Sequence, residues 1–509
     1  MATVELNVNL NRVEGDLEIA LTLEDGVVSE ARTVGTLYRG FEQIMVGRSP
    51  RDAIVITPRV CGICGTAHLY SAVLALEHIW QTPVPPNATR IRNLCLISEG
   101  IQNDLRQTFL FFTPDFCNPR YKKQSWYAEL MNNFDPFKGK VYLETLAFTR
   151  RVVEIVAHFG GQWPHSSYML PGGVTTPADV PRILSCRAIV DDVQRWYEQR
   201  IIGRSLDDWL ALDNAEVYFD WLQQADHANS ALGILSRAAR SLGLHQSAAG
   251  TPHMLSYGAW CDPEQWSAPH TATILPGGFY NGDNGVTEKF EQRLIQEHVR
   301  HSWFLPYEGG RHPWEGETIP DYQPGSDRYS WCKAPRYNDK TVQTGPLAEM
   351  IMAGDALITS LHKSEGSNAW LRQFARVRRI AYELYHAKKM LDVLAANISE
   401  PHIQNPDKQQ EVDGEGCGLV MAARGALGHW LKIKDGVIEK YQIVTPTAWN
   451  ASPRDSQGQP GHWEQSLVGL SIQDMDDPIE VGHIIRSHDP CLVCTVHMVD
   501  TNKRMQFGP

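Results

Sequence analysis

Near its C-terminus the chain reads Asp489-Pro490-Cys491-Leu492-Val493-Cys494-Thr495-Val496-His497. Two thiols at i and i+3, with an imidazole three residues beyond the second, form a compact set of soft and borderline metal ligands. Pro490 has no N–H and a fixed φ, which predicts a rigid turn at the pair rather than a helix interior. One such pair supplies half of a four-thiolate site. The other half stands near the opposite end, in Arg59-Val60-Cys61-Gly62-Ile63-Cys64. If the two pairs share a metal they must meet in space, so the fold is expected to close around that point.

Taken alone, each pair has other readings. A redox dithiol usually opens a helix in a thioredoxin-like βαβ unit, and none surrounds either pair. Structural zinc usually draws its two halves from a short span, and iron–sulfur motifs also cluster tightly in sequence. Here most of the chain separates them. Spacing therefore leaves structural zinc, a cluster and a catalytic soft-metal centre open, with the last somewhat ahead.

Composition narrows the class. With 509 residues, 42% hydrophobic and 21% charged, the chain can bury one very large core or two to three smaller ones. The formal net charge of −12 argues against a general nucleic-acid binder. Arg376, Arg378 and Arg379 still leave room for a local basic patch. Ten cysteines are sparse for this length and are not a secreted disulfide framework. Cys95, Cys117, Cys186, Cys261, Cys332 and Cys417 stand alone and read as small core hydrophobes. No signal peptide opens the sequence and no apolar run is long enough to span a membrane. A cytoplasmic location is expected, with membrane association only through partners.

The elements that must position the thiols follow from periodicity. Leu17, Ile19, Leu21 and Leu23 alternate with polar or small residues, and Asp25-Gly26 marks a hairpin turn. Helices are predicted over 68–80, 91–112, 143–159, 178–202 and 370–396, the last with Leu371, Phe374, Val377, Ile380, Leu384, Leu391 and Leu394 as its apolar set. From 246 to 346 the chain is rich in Gly, Pro, Trp, Tyr and His, which predicts short strands and irregular loops. Gly345-Pro346 opens another helix, and Asp435-Gly436 is a second hairpin signal. The fold class is α+β: a large bundle of long helices with small antiparallel sheets at its periphery and the thiol pairs buried between the two ends.

The residues around the thiols carry more than the thiols do. Arg59-x-Cys61-Gly62-x-Cys64-x-x-x-His68 together with Asp489-Pro490-Cys491-x-x-Cys494-x-x-His497 closely resembles the two signature motifs of the nickel–iron hydrogenase large subunit. Further blocks are similar to that family in the same order. They are Arg12-Val13-Glu14-Gly15, Arg39-Gly40-Phe41-Glu42, Gly172-Gly173-Val174-Thr175, Lys333-Ala334-Pro335-Arg336-Tyr337, Ala423-Arg424-Gly425-Ala426-Leu427-Gly428-His429-Trp430 and Trp449-Asn450-Ala451-Ser452-Pro453-Arg454-Asp455. The likeness spans 11–497, and residues 1–497 are read as one domain.

The resemblance implies a chemistry and a set of roles. Cys61 and Cys491 would be terminal nickel ligands, with Cys64 and Cys494 bridging to an iron that carries carbon monoxide and two cyanides. Soft thiolates suit a metal that changes oxidation state, and they can accept a proton. Dihydrogen is a very weak acid, so its heterolysis needs an acceptor for the electron pair and a base for the proton. The base would be Cys491 or the guanidine of Arg424, although a guanidinium is normally protonated. Asp489 would position Arg424. Glu14 matches the family's proton-gate glutamate, a role that suits a carboxylate with a raised pKa. Thr447 and Pro446 match residues that cradle a cyanide, and His68 would donate to a cysteine sulfur. Glu42 and His497 match ligands of a magnesium ion.

Three positions depart from the family's pattern. Ala423 stands where proline usually precedes the arginine, Trp163-Pro164-His165 where a His-Pro-His element is common, and Asn103 where an aspartate is frequent. With Pro114-Asp115-Phe116 these look more like the cytoplasmic uptake and sensor branch. No further array of cysteines is present to bind an iron–sulfur cluster. Electrons would therefore leave through an iron–sulfur small subunit, in a heterodimer expected to form higher oligomers. Maturation would need nickel-insertion factors and an endopeptidase. A hydrogen-sensing subunit of low turnover is the main competing reading. A metal-free relative of respiratory complex I is disfavoured by the four cysteines, and a zinc-stapled scaffold predicts zinc without infrared-active diatomic ligands.

Residues 498–509 continue past the histidine where hydrogenase precursors are cut, and read as a removable extension. Intact mass spectrometry of the nickel-loaded protein is expected to show a chain ending at His497. A mass that includes Pro509 in active protein counts against cleavage.

Overall fold

The structure is a computed structural model that describes residues 3–270, 272–404 and 411–492. The chain opens with three antiparallel strands, Thr3–Asn9, Leu17–Glu24 and Val27–Gly35, in that order across the sheet. The predicted alternation holds: Leu17, Ile19, Leu21 and Leu23 are buried, while Asp25 and Gly26 adopt the positive φ of a tight turn. The inner face packs on Trp463, Leu467, Ile484, Ile485 and Leu492, so this sheet already joins the two ends of the chain.

Long helices follow. Gly65–Trp80 begins directly after the first thiol pair and is buried along nearly its whole length. Pro86–Arg106 starts with proline at its first position and runs on into a π-helical turn, Gln107–Phe112. The helix predicted over 143–159 is two helices, Lys140–Val152 and Glu154–Gly160. They divide at Val153, where two successive β-branched valines crowd the turn. Val180–Trp196 ends in a second π-helical turn, Tyr197–Ile202. Further helices, among them Ala215–Leu222 and Ala231–Ser241, fill a region for which the sequence reading named no element. Ala369–Ala396 is the longest helix, 28 residues, started by the side chain of Asn368 accepting from Leu371 N. Its seven predicted apolar residues are all buried. No helix among the described residues is long and apolar enough to cross a membrane.

Between 246 and 346 short paired strands alternate with loops, as expected, for example Ile295–His298 against Ala334–Tyr337. The architecture is mixed α and β with small antiparallel sheets.

The expectation that the sheets lie at the periphery is corrected by the sheet of Gly414–Ala422, Gly425–Lys434 and Val437–Val444. Its central strand is buried at every residue except Lys432 and Lys434. The first strand lies on the Gly65–Trp80 helix. A Cβ added at Gly418 would stand 1.9 Å from Ser71 O, and one at Gly416 would stand 2.5 Å from Ala75 O. Gly414 meets Ile79, one turn further on. The strand therefore runs antiparallel to the helix, and its end delivers Ala423 and Arg424 towards the helix start, where Cys64 stands. Ser71 Oγ donates to Gly418 O at 2.7 Å and locks the register.

Gly418→Ala forces helix and strand apart. It is expected to lower the unfolding free energy by about 1–3 kcal/mol, as overpacking of a dense core does, measured by urea denaturation. An unchanged midpoint and slope would show the contact to be slack.

Candidate metal centre

The first thiol pair occupies the turn before the Gly65–Trp80 helix, and both thiols are buried, Cys61 at 2% and Cys64 at 5% exposure. Ile63 N donates to Cys61 Sγ at 3.4 Å. The first N–H groups of a helix lack intrahelical acceptors. Here Glu99, from the neighbouring Pro86–Arg106 helix, accepts from Thr66 N at 3.1 Å and Ala67 N at 3.2 Å. Trp163 Nε1 donates to the same carboxylate at 3.3 Å. Burial pushes Glu99 up to about 7, against those three donors. Arg39 donates to Val60 O and lies over the ring of Phe41. The turn is thus tied down on both sides.

The second pair is approached from the Ile479–Ser487 helix through Asp489, at φ 62°, and Pro490. Glu14 N donates to Pro490 O at 3.3 Å, and Leu492 N donates to Glu14 O at 2.6 Å, so the loop after the first strand grips Cys491 from both flanks. Cys491 N donates to Thr447 Oγ1 at 3.2 Å. Thr447 is the second residue of the short Pro446–Asn450 helix, whose proline needs no N–H partner. Cys61 Sγ and Cys491 Sγ are 3.6 Å apart although 430 positions separate them. Two thiolates each about 2.3 Å from one tetrahedral soft metal stand roughly 3.8 Å apart, so this pair fits a shared ion. Among the described residues no three His, Cys, Asp or Glu side chains close a metal site by themselves. Cys494 and His497 lie outside the described residues.

Charged groups surround the thiols. Arg424 Nε donates to Asp489 Oδ1 at 2.9 Å, and Asn103 Nδ2 donates to Asp489 Oδ2 at 2.6 Å. Arg424 Nη1 and Nη2 are buried and have no hydrogen-bond partner among the described residues. Burial opposes the charge of Arg424, but Asp489 and the thiols of Cys491, Cys61 and Cys64 outweigh it and hold the guanidinium well above its usual range. Glu14 is raised, first by burial, with Arg106 Nη1 at 3.7 Å acting the other way. His68 Nδ1 pairs with His429 Nε2 at 3.0 Å, and His429 Nδ1 with the Tyr441 hydroxyl at 2.8 Å. Burial, the largest cause, pushes His68 down to about 4, so its ring is neutral. If Tyr441 donates, His429 donates in turn and the unpartnered His68 Nε2 carries the proton.

The arginines at 376–379 form no surface patch, which corrects the reading from composition: all three are buried at 2% exposure. Arg379 makes two bonds to Asp104, each 2.8 Å, one to Glu349 at 3.1 Å and one to Ala423 O at 2.6 Å. Arg376 Nε lies 4.0 Å from both Asp104 and Asp489. Arg378 pairs with Asp355 at 2.8 Å. Charges on the inner face of a helix must be paired, and a linear sequence does not say with whom. Glu99, Asp104, Arg106 and the arginines of the long helix were missed as site residues for that reason. The signal in the sequence was their position inside otherwise apolar helical patterns.

Glu42 is buried at 6% exposure. Its Oε1 accepts from Ile443 N at 2.8 Å, while Oε2 faces Thr318 and lies 3.3 Å from Lys333 Nζ. Lys333 also reaches Glu297 at 3.4 Å. A cavity of about 20 Å³ lies among these side chains, large enough for one water. Burial pushes Glu297 up to about 7. Glu297 and Lys333 were not expected at this position. The lone cysteines behave as predicted: Cys95, Cys186, Cys261, Cys332 and Cys417 are buried, Cys117 is half-buried, and burial raises every one of these thiols.

Known proteins agree with this geometry. The sequence profile of the nickel-dependent hydrogenases matches residues 39–119 and 112–497. The periplasmic [NiFeSe] hydrogenase large subunit of Desulfomicrobium baculatum is 31% identical over 96% of this chain and 94% of its own. The uptake hydrogenase large subunit of Rhodobacter capsulatus is 28% identical, with 96% and 94% covered. The crystal structure of the Ni-Fe-Se hydrogenase from Desulfovibrio vulgaris Hildenborough in its reduced state superposes with a TM-score of 0.81 at 28% identity, over 97% of this chain and 100% of that one. One of these relatives is periplasmic, so the expected cytoplasmic location gains no support from them. Thiols from both chain ends brought together inside this fold, with the profile spanning both motifs, place the chain in the nickel-dependent hydrogenase family, as a large subunit.

Proposed function

We propose that this large subunit belongs to an uptake hydrogenase that oxidises dihydrogen by heterolysis and passes the electrons to an iron–sulfur small subunit. The observation that carries the reading is the contact of Cys61 with Cys491, buried beside a guanidinium with two N–H groups left to give. In this reading Cys61, Cys64, Cys491 and Cys494 would hold a nickel–iron centre. When bound, that centre would supply the acceptor for the electron pair of dihydrogen.

This chain's own residues handle the proton. Arg424 is kept charged by Asp489 and the thiols, which disfavours it as the base and leaves Cys491 Sγ as the proton acceptor. Arg424 then acts as a fixed positive charge with two donors, held by Asp489. The backbone of Glu14 is bonded on both sides of Cys491, and its carboxyl feels the charges of Arg106, Arg424, Cys61 and Asp489. Burial raises Glu14 while its side chain keeps 30% exposure, so it can take a proton inside and release it outward. His68, neutral and steadied by His429 and Tyr441, offers Nε2 towards the sulfurs. Thr447 takes the Cys491 N–H, and with Pro446 it shapes the wall against a cyanide.

Glu42 and His497 would hold a magnesium ion at the small cavity, where Lys333 and Glu297 limit the net charge. The chain to 497 acts as one domain, and the extension beyond it leaves after nickel insertion. The subunit pairs with the small subunit in heterodimers that associate further, in the cytoplasm or at a membrane through partners.

The infrared spectrum of the purified complex is expected to show carbon monoxide and cyanide bands. Their absence in a nickel-replete sample would return the reading to a zinc scaffold. Glu14→Gln should keep those bands and the nickel content while hydrogen oxidation falls by about 10²–10⁴, the usual worth of a positioned acid or base. Unchanged turnover would remove Glu14 from the proton route. Bands accompanied by slow turnover in the unmodified complex would favour the hydrogen sensor.

A further inference from the structure

Behind the turn that leads to Cys491 lies a buried cluster that the proposed chemistry does not use. Arg372 reaches it from the Ala369–Ala396 helix, His462 and Trp463 from the start of the His462–Leu467 helix, and His488 from the end of the Ile479–Ser487 helix. His462 and Trp463 are fully buried, and Arg372 and His488 are 4% exposed. The rings of His462 and His488 are 4.7 Å apart at 90°, and those of Trp463 and His488 are 5.8 Å apart.

Arg372 is an unusual buried cation. Nε donates to Ser487 Oγ at 3.0 Å and Nη2 to Ala248 O at 2.7 Å, both neutral acceptors. Among the described residues no carboxylate lies within salt-bridge distance of it, and Nη1 has no partner. Its neighbour Arg376 adds a second positive charge, so burial and that repulsion push Arg372 down to about 9. Arg376 in turn leans on Asp104 and Asp489, each 4.0 Å away.

Among the described residues Trp463 Nε1, His462 Nε2 and His488 Nε2 are here also without a partner. Trp463 Nε1 is a donor only. Thr251 N donates to His462 Nδ1 at 3.1 Å, so the proton of the neutral ring sits on Nε2. Burial and Arg372 keep that ring neutral. Three donors without partners among the described residues, Arg372 Nη1, Trp463 Nε1 and His462 Nε2, thus share one buried cluster with the ring of His488 and an uncompensated charge, and none of the three donors can accept a hydrogen bond. A water accepts from such groups but needs acceptors for its own two hydrogens. An anion accepts from the three donors and offsets the charge.

We propose that Arg372, His462, Trp463 and His488 line a buried site for a small inorganic anion of the halide class. Ala248 lies beside the exposed Ala249, so the way in from solvent is short. An anion here neutralises the positive charge behind Ser487, which Arg372 and Arg376 hold four residues before Cys491. It would make the seat of that thiol sensitive to halide.

Bromide tests the site in the purified complex. Crystals soaked in bromide are expected to show one anomalous peak bonded to Arg372 Nη1, and the thermal midpoint should rise with bromide at constant ionic strength. Both effects should vanish in Arg372→Gln. His462→Phe keeps a ring of similar shape, removes one donor, and should weaken bromide binding about tenfold; it serves if the arginine variant does not fold. A water refined at Arg372 Nη1 in bromide-soaked crystals overturns the proposal. So does a bromide-dependent midpoint that is the same in the variants.

Discussion

A strand with three glycines on one face lies directly on a helix, and the position of the thiol site depends on that contact. Gly414, Gly416 and Gly418 alternate with Glu415 and Cys417, so a period of two turns all three towards the Gly65–Trp80 helix. Without side chains there, the strand backbone reaches the helix backbone, and the Ser71 to Gly418 bond fixes how far along it sits. One residue of slip would put side chains into the helix, so the register is steeply specified. Because strand and helix run antiparallel, the strand's end comes to the helix's start. The contact therefore sets Arg424 and His429 against Cys61, Cys64 and His68.

The second condition is electrostatic. The thiol turns sit among buried ions, and each ion is tolerated because another is beside it. Asp489 is shared by Arg424 and Asn103, and Asp104 by Arg379 and, at longer range, Arg376. Burial also raises Glu349 and Glu383, while Arg379 beside them acts the other way. Such a network adds little net stability, because desolvation offsets most of the attraction. Removing one member would still be costly, since its partner would remain buried and unpaired. That asymmetry holds a geometry in place, which is what a site built from distant segments needs.

The same reasoning separates the thiols that face the site from those that do not. The lone cysteines lie in apolar surroundings that raise their pKa and leave them inert. Cys61 and Cys491 stand instead beside a guanidinium and each other, where a soft cation would find charge already arranged for it. Glu42 and Glu297 form a separate buried cluster around Lys333.

Much of this was legible in the linear chain, each part for a local reason. Alternation identified the first sheet, Asp25-Gly26 and Asp435-Gly436 located the hairpins, and 3.6-residue periodicity found the helices that begin at Gly65, Pro86 and Ala369. Thiol spacing singled out Cys61 and Cys491, the resemblance to the hydrogenase family implied Arg424, Asp489, Glu14 and Thr447, and the fold brings these segments to one place. The tertiary structure decided the rest. Periodicity records only that a face is buried, so a sheet on a helix and a sheet at the rim read alike, and the buried Gly414–Val444 hairpins looked peripheral. Charge is counted per residue in a sequence but is satisfied in pairs in space. Arg376, Arg378 and Arg379 therefore resembled a surface patch until Asp104, Asp355 and Glu349 were found against them. Residue types and spacing thus singled out the two thiol pairs, and the blocks around them carried the family resemblance, while long-range packing decided which buried charge each of these residues faces.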